Sequence, residues 1–394
     1  MTLAVEVRMY PKALAVGFGR VFYGAQGRVY FSQVIIDNFE SLGRCYQRND
    51  PISDTASDIL DTDGGEIMLQ DAGEILAMEP YRSGILVFCD NGVWFISGTS
   101  DTGFTATSYM VNKVSPFVLY APRTVIAARD AVIFGGKEAC YAVTLVETGR
   151  VEVTPITEGT IDSYWKNFVN TETCATYDEV RKQISFVKYG TAGDVLIFDA
   201  KLGAWFPWKV TLSTDNYDYN FVGSVWNDTL RQSVYCVYDD TEVRFCSASS
   251  NLYDFEPSGT YESYIVTQPE TLGNYTRQKG VPLVQAFFRR TENQITAYTA
   301  GNYTFDVPSS CKMSIRFDWD SNKVTSEREI YKALPPRFVA PTVPYTLPFG
   351  NEMITFKDKI RGKGRAVQVR FESVGNNRMD IYGYSLQYST KTTA

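Results

Sequence analysis

Between Asp318 and Glu329 the chain reads DWDSNKVTSERE, with carboxylate or amide side chains at positions one, three and five and a glutamate at position twelve. Oxygen donors at that spacing are what a calcium loop uses. Lys323 holds the sixth position, where such a loop needs glycine for its sharp turn, and the flanks read as strand. A solvated turn is the plainer reading. RGKGRAVQVRFES, Arg361 to Ser373, offers a second chemistry, a basic glycine-rich turn of the kind that cradles phosphate. A phosphate loop opens a helix, and here an alternating strand follows, so these glycines are expected to shape a turn.

The rest of the catalytic repertoire is narrowed by one absence. The 394 residues contain no histidine, which excludes Ser-His-Asp and Cys-His catalysis and every His-ligated metal site. Glycoside hydrolysis by two carboxylates needs no histidine, yet among 45 acidic residues no pair stands out. Thr99-x-Asp101-x-Gly103-x-Thr105 is similar to the Asp-box turn of sialidase-type propellers, with Ala106 in place of the usual closing aromatic. That turn helps folding and has no catalytic part, so it bears on architecture alone. Seven cysteines include no CxxC pair, and Cys89, Cys140, Cys236 and Cys246 lie inside apolar runs. They read as small core residues and reduced thiols. The expectation is a protein without enzyme activity, metal or cofactor.

The elements that carry these residues read as strands. In GILVFCDNGVWFISG, Gly84 to Gly98, two apolar runs flank Asp90-Asn91-Gly92, a tight hairpin signal. Both runs are apolar on both faces, as a strand between two sheets must be. The same grammar returns from Arg20, Ala131, Gln183 and Gln232. The spacing is about 53 residues, that of a four-stranded propeller blade. Extra strands flank each central pair, for instance Ile75 to Met78 and Thr105 to Val111. The fold expected is all-β, with a β-propeller platform over residues 1–255. It should hold five to seven blades, six favoured, because a blade buries both faces only against neighbours. A long polar loop over residues 34–66 interrupts it. From 256 to 394 the strands lengthen, as in VQAFFRR and MSIRFDWD, and a β-sandwich-like domain is expected. ALPPRFVAPTVPYTLPFG, Ala333 to Gly350, forbids both helix and central strand through its prolines.

Net charge is −7, so the chain on average offers no basic face to nucleic acid, although a local patch can hide in the mean. No apolar run approaches 18 residues and no leader is evident at Met1, so neither a membrane span nor a secretory signal is expected. The sequons at Asn227, Asn274 and Asn302 are accordingly read as chance matches.

FSQ at Phe31 to Gln33, CYQRNDP at Cys45 to Pro51, DTDGGEI at Asp61 to Ile67 and LVFCDNGVWFISG at Leu86 to Gly98 together resemble the tail nozzle proteins of short-tailed bacteriophages. GFTATSYMVNKVS, Gly103 to Ser115, and the closing RGKGRAVQVRFES and IYGYSLQYS extend the resemblance from about Gly17 to Tyr388. Its specificity lies in the order of these motifs. The resemblance implies a propeller platform plus an outer β domain, repeated as a homo-hexameric ring below portal and adaptor. Such a ring continues the DNA channel, neighbours the tail fibres and retains the genome until ejection. The chain would then be a virion protein, assembled in the host cytoplasm, that passes double-stranded DNA without reading its sequence. Six copies at −7 each would carry −42, which suits a conduit that does not grip phosphate. The competing class is a glycan-binding or glycan-cleaving propeller.

Two sets of residues are candidates for function. The polar stretch from Leu42 to Gly65 is expected to be ordered mainly by a neighbouring chain. Its contact residues would be Cys45, Tyr46, Gln47, Arg48, Asn49, Asp50, Pro51, Asp61 and Asp63. Asp90, Asp199, Asp239 and Asp240, in polar turns, are candidates to face the channel.

Overall fold

The structure is a computed structural model that describes residues 10–390 except 37–38, 47–58, 100–102, 147–149, 191–193, 210–212, 215–216, 219, 239–242, 248–262, 274–275, 300–301, 321, 333–343, 348–352, 361 and 376. The chain divides into two units, residues 1–248 and 249–394, a few residues from the boundary expected at 255.

The first unit is a run of antiparallel meanders. Blade 1 holds β1 (Ala13–Gly17), β2 (Arg20–Ala25), β3 (Arg28–Phe31) and β4 (Gly65–Met68). Blade 2 holds β5 (Ile75–Tyr81), β6 (Gly84–Cys89), β7 (Gly92–Gly98) and β8 (Tyr109–Ser115). Blade 3 holds β9 (Ala121–Ala128), β10 (Ala131–Gly135), β11 (Cys140–Leu145) and β12 (Val151–Pro155). The short helix α1 (Asp162–Phe168) leads to blade 4, made of β13 (Cys174–Asp178), β14 (Gln183–Val187), β15 (Asp194–Asp199) and β16 (Ala204–Lys209). A two-residue pair, β17 (Ser213–Thr214) and β18 (Tyr217–Asp218), precedes blade 5, which holds β19 (Asn220–Asn227), β20 (Gln232–Tyr238) and β21 (Val243–Ser247). The first strands β1, β5, β9, β13 and β19 touch in succession. This is a β-propeller with five described blades, within the expected range of five to seven. The sequence signal had marked the second strand of each blade, and there are five such strands.

Blade 2 shows why the propeller holds together. Along β6 and β7 successive side chains enter different cores. Ile85, Val87, Cys89, Trp94 and Ile96 pack with the buried residues of blade 1. Leu86, Phe88, Val93 and Phe95 pack with those of blade 3. Period-two alternation therefore serves two interfaces at once. Close approach between blades rests on small residues: a Cβ at Gly24 would lie 2.6 Å from Ile75 Cγ2. The β6–β7 turn has Asp90 and Asn91 at its corners, because Cys89 pairs with Gly92. Asn91 does not take positive φ, as its expected role required; Gly92 does, at 130°. Asn91 instead donates a side-chain hydrogen bond to the Asp71 carbonyl.

Helix α1 had no clear sequence signal. It delivers Trp165, fully buried, into the core between blades 3 and 4, where its indole N–H donates to the Gly136 carbonyl at 2.9 Å.

The second unit contains two facing sheets. One runs in the order β22 (Tyr264–Val266), β31 (Val367–Glu372), β26 (Ser310–Phe317), β27 (Arg328–Lys332). In the other, β23 (Lys279–Arg289) is central, with β29 (Met353–Lys359) and β30 (Lys363–Gly364) along one edge and β32 (Ile381–Thr390) on the other. Val284, Ala286 and Phe288 from one sheet and Met313, Ile315, Val369 and Phe371 from the other share one core. This is the β-sandwich-like domain expected after the propeller. A third, small sheet joins β24 (Gln294–Thr299) to β25 (Asn302–Phe305) and β28 (Tyr345–Thr346). Strand β28 sits at an edge of this sheet, directly after Pro344.

Candidate functional site

Arg20 opens β2, and its side chain is 1% exposed. The guanidinium donates to the Ser32 carbonyl at 2.6 Å and to the carbonyls of Asp63 and Asp61. It lies 5.5 Å from the Phe31 ring centroid and 5.9 Å from that of Phe104. Desolvation pulls its pKa down to about 10, opposed by the nearby charges of Asp63 and Asp61. It is therefore still a cation at neutral pH. Its planar fork is what allows one side chain to reach three carbonyls.

Around it the flanks of the long polar loop are laced to blade 1. Gln33 N–H donates to the Arg44 carbonyl and Val34 N–H to the Thr62 carbonyl, both at 3.0 Å. Gln33 Nε2 and Gly64 N–H both donate to the Tyr46 carbonyl. Gly64 must be glycine, since a Cβ there would stand 2.3 Å from the Arg44 carbonyl oxygen. The described flanks, 42–46 and 59–65, are thus held by their own fold. Residues 47–58, the middle of the stretch expected to be ordered by a neighbouring chain, lie outside the described residues. Chain entropy is offset here by backbone hydrogen bonds that the polar composition did not reveal.

The candidate contact residues separate accordingly. Asp63 is 1% exposed and its carboxylate accepts from Leu60 N–H at 2.9 Å, so it closes a turn and presents nothing to a partner. Asp61 is exposed and accepts a hydrogen bond from the Thr107 hydroxyl. Cys45 is half-buried, and burial raises its thiol pKa, which disfavours the thiolate. Tyr46 is 41% exposed. Gln47, Arg48, Asn49, Asp50 and Pro51 lie outside the described residues.

The candidate channel acids fare similarly. Asp199 is 8% exposed, and its carboxylate accepts from Gln183 Nε2, Lys201 N–H and Leu202 N–H at 2.9–3.0 Å. Burial pushes its pKa up, but these donors outweigh it and the net shift is downward. It closes the β15–β16 turn and does not project into a channel. Asp90 is exposed and also accepts from Glu74 N–H at 3.0 Å. Asp90 sits in the turn after the second strand of its blade, beside the start of the first strand β5, and Asp199 in the turn after the third strand of its own. Asp239 and Asp240 lie outside the described residues.

Neither sequence-level chemistry assembles a site. In the calcium-like stretch, Lys323 places its ammonium 3.4 Å from Asp318 and 4.0 Å from Asp320. The lysine takes the place a cation would need, and Asp318 further accepts from the backbone of Arg365 and Ala366. Among the described residues no cluster of acidic or thiol side chains could hold a metal. Asp101 of the Asp-box-like turn lies outside the described residues, though the turn does join the third and fourth strands of its blade. The six described cysteines are unpaired. A groove of about 280 Å³ runs over β9, β13 and β19, lined by Ile126, Thr176, Tyr177, Glu179 and Trp226 among others. Glu179 is the one carboxylate in its lining, half of what a carboxylate pair requires. No helix of the described residues is long and apolar enough to cross a membrane.

Charge is divided unevenly between the units. Residues 1–248 hold 20 Lys and Arg against 31 Asp and Glu, a net of −11; residues 249–394 hold 18 against 14, a net of +4. The mean of −7 conceals this split.

No family model and no curated protein matches the chain. Among solved structures it is similar to the extracellular domain of the one component system BT4673 from B. thetaiotaomicron, at 9% identity and TM-score 0.35 over 61% of this chain. The chain covers 28% of that protein's length. It is also similar to the dihydro-heme d1 dehydrogenase NirN in complex with DHE, at 11% identity and TM-score 0.32, covering 61% of this chain and 57% of that one. A chain of the mitotic checkpoint complex gives 11% identity and TM-score 0.32, covering 78% and 84%.

Proposed function

We propose that this chain is the tail nozzle protein of a short-tailed bacteriophage, a structural virion protein without catalytic activity. In this reading six copies form a ring that continues the DNA channel below portal and adaptor, neighbours the tail fibres and retains the genome until ejection. The observation that carries it is the order of the motifs over most of the chain. The structure adds that these motifs are joints of the fold. In FSQ, Ser32 is fully buried and its hydroxyl accepts from Val21 N–H at 3.0 Å. In DTDGGEI, two backbone carbonyls hold Arg20. A signature built from such joints belongs to a scaffold more than to a reactive site, and the acidic first unit suits a conduit that repels phosphate.

The test is negative-stain imaging and native mass measurement of the purified protein. Sixfold rings with an axial hole are expected. A monomer that binds glycans on an array overturns the reading in favour of the glycan class.

A further inference from the structure

Among the described residues the outer face of the second unit's β23 sheet carries cations and no carboxylate. Strand β29 alternates strictly, with Ile354 and Phe356 packed into the sandwich core and Thr355, Lys357 and Lys359 exposed on the other side. The register sets Lys359 opposite Leu283 and Lys357 opposite Gln285 on β23, with Arg289 at the end of the same row. Strand β30 continues the line. Lys363 stands opposite Gly280, while its neighbour Gly364 pairs with the buried Lys279 on the core side, so exposed Lys363 joins the outer face. On the far edge of β23 the paired positions are Gln387, Ser385 and Gly383. The one acid of β29, Asp358, points inward and lies 3.5 Å from Arg328. Among the described residues the ammonium groups of Lys357 and Lys359 form no ion pair, although the Lys359 backbone N–H donates to Asp358. The face is therefore a row of cations flanked by amide and hydroxyl donors, on a unit with net charge +4.

We propose that this face binds the phosphate backbone of double-stranded DNA. Alternate residues on a strand stand ~6.8 Å apart, which matches two steps of ~3.4 Å along one strand of a duplex. A row of cations on one sheet face meets a linear polyanion over several charges. Among the described residues no carboxylate on the face opposes that contact, and acids more than ~8 Å away are screened at physiological salt. The contact is sequence-independent, because it touches phosphate and not base edges. It deepens the nozzle reading and rests on it for its biological meaning: the acidic propeller lets DNA pass and the basic sheet face retards it.

The experiment is fluorescence anisotropy of a labelled 30-base-pair duplex with the full-length protein at several salt concentrations. Three phosphate contacts, from Lys357, Lys359 and Lys363, give a slope of log K against log salt of about −3. Lys357→Glu with Lys359→Glu should lower affinity about tenfold or more at low salt and flatten the slope by about 2. Lys357→Gln with Lys359→Gln, which adds no repulsion, should flatten it by a similar amount. Lys137→Glu with Lys201→Glu in the first unit makes the same change in total charge and should leave binding unaltered. Absence of binding, an unchanged slope in both Lys357 and Lys359 variants, or preference for anionic lipid vesicles over duplex would overturn the proposal. Ring formation is scored separately by imaging. Rings without DNA binding remove this inference and leave the nozzle reading, and a DNA-binding monomer does the reverse.

Discussion

Arg20 fixes the first blade to the long loop through one guanidinium and three backbone carbonyls. Removing it strands the buried Ser32 and Asp63 carbonyls and the part-buried Asp61 carbonyl. Each buried unsatisfied group costs about 1–3 kcal/mol, so Arg20→Ala is expected to destabilise the first unit by about 3 kcal/mol or more. Arg20→Lys should recover little, because an ammonium lacks the fork that reaches several carbonyls. Urea unfolding followed by tryptophan fluorescence measures both; a loss under 1 kcal/mol for Arg20→Ala would remove Arg20 from this role. Asp199 makes a prediction in pH. Its folded pKa is depressed below the ordinary 3.8 by amide donors from Gln183, Leu202 and Lys201 that outweigh burial. A depressed carboxylate contributes stability that is present above its unfolded pKa and is lost as pH falls through the folded one. Asp199→Asn should therefore reduce stability at neutral pH and weaken its decline below about pH 4. Acid titration of wild type and variant, followed by circular dichroism, reads the difference, and parallel curves would count against it.

Strands β6 and β7 are the element on which two blade interfaces depend. Trp94 is 4% exposed in the core shared with blade 1, and Phe95 is 8% exposed in the core shared with blade 3. Truncating a buried aromatic of this size to alanine costs about 3–5 kcal/mol. Trp94→Ala should yield insoluble protein or a strongly lowered melting temperature, while normal solubility and melting would reject the assigned packing. Gly92 has φ of 130°, and a Cβ there would meet the Ser115 carbonyl oxygen at 2.4 Å. Gly92→Ala should thus destabilise by about 1–3 kcal/mol through backbone strain. Asn91→Ala, at a residue without positive φ, should cost less than Gly92→Ala. Comparing the two melting temperatures separates turn strain from loss of the Asn91 hydrogen bond.

At the scale of the whole molecule, the two units have separate cores and opposite charge. Domains with their own cores unfold as units, so calorimetry of the full chain is expected to show two transitions. A rise in salt should weaken self-repulsion in the −11 unit more than in the +4 unit. The transition of the first unit should then move upward with salt by more than that of the second. A single transition with one salt dependence would show that the units unfold together.

Much of this was legible in the sequence because strand physics is local. Residues that are apolar on both faces, followed by Asp90-Asn91-Gly92, announce a sandwiched hairpin. Its recurrence at Arg20, Gly84, Ala131, Gln183 and Gln232 marked the second strand of each blade. Absence of histidine bounded the chemistry without any coordinates. The tertiary structure alone decided how isolated polar residues are spent. Asp63 and Asp199 look like surface acids in the sequence, yet each is drawn into its own turn by nearby amides. Arg20 looks like the polar start of a strand, but its partners are 12 to 43 residues away. Lys357 and Lys359 share a face by alternation along β29, but Lys363 joins their row only through the register of β30 with β23, a strand about 80 residues earlier. Local patterning specifies which side of a strand is apolar. Which polar groups share a face, and which are buried, depends on pairings that no short stretch contains.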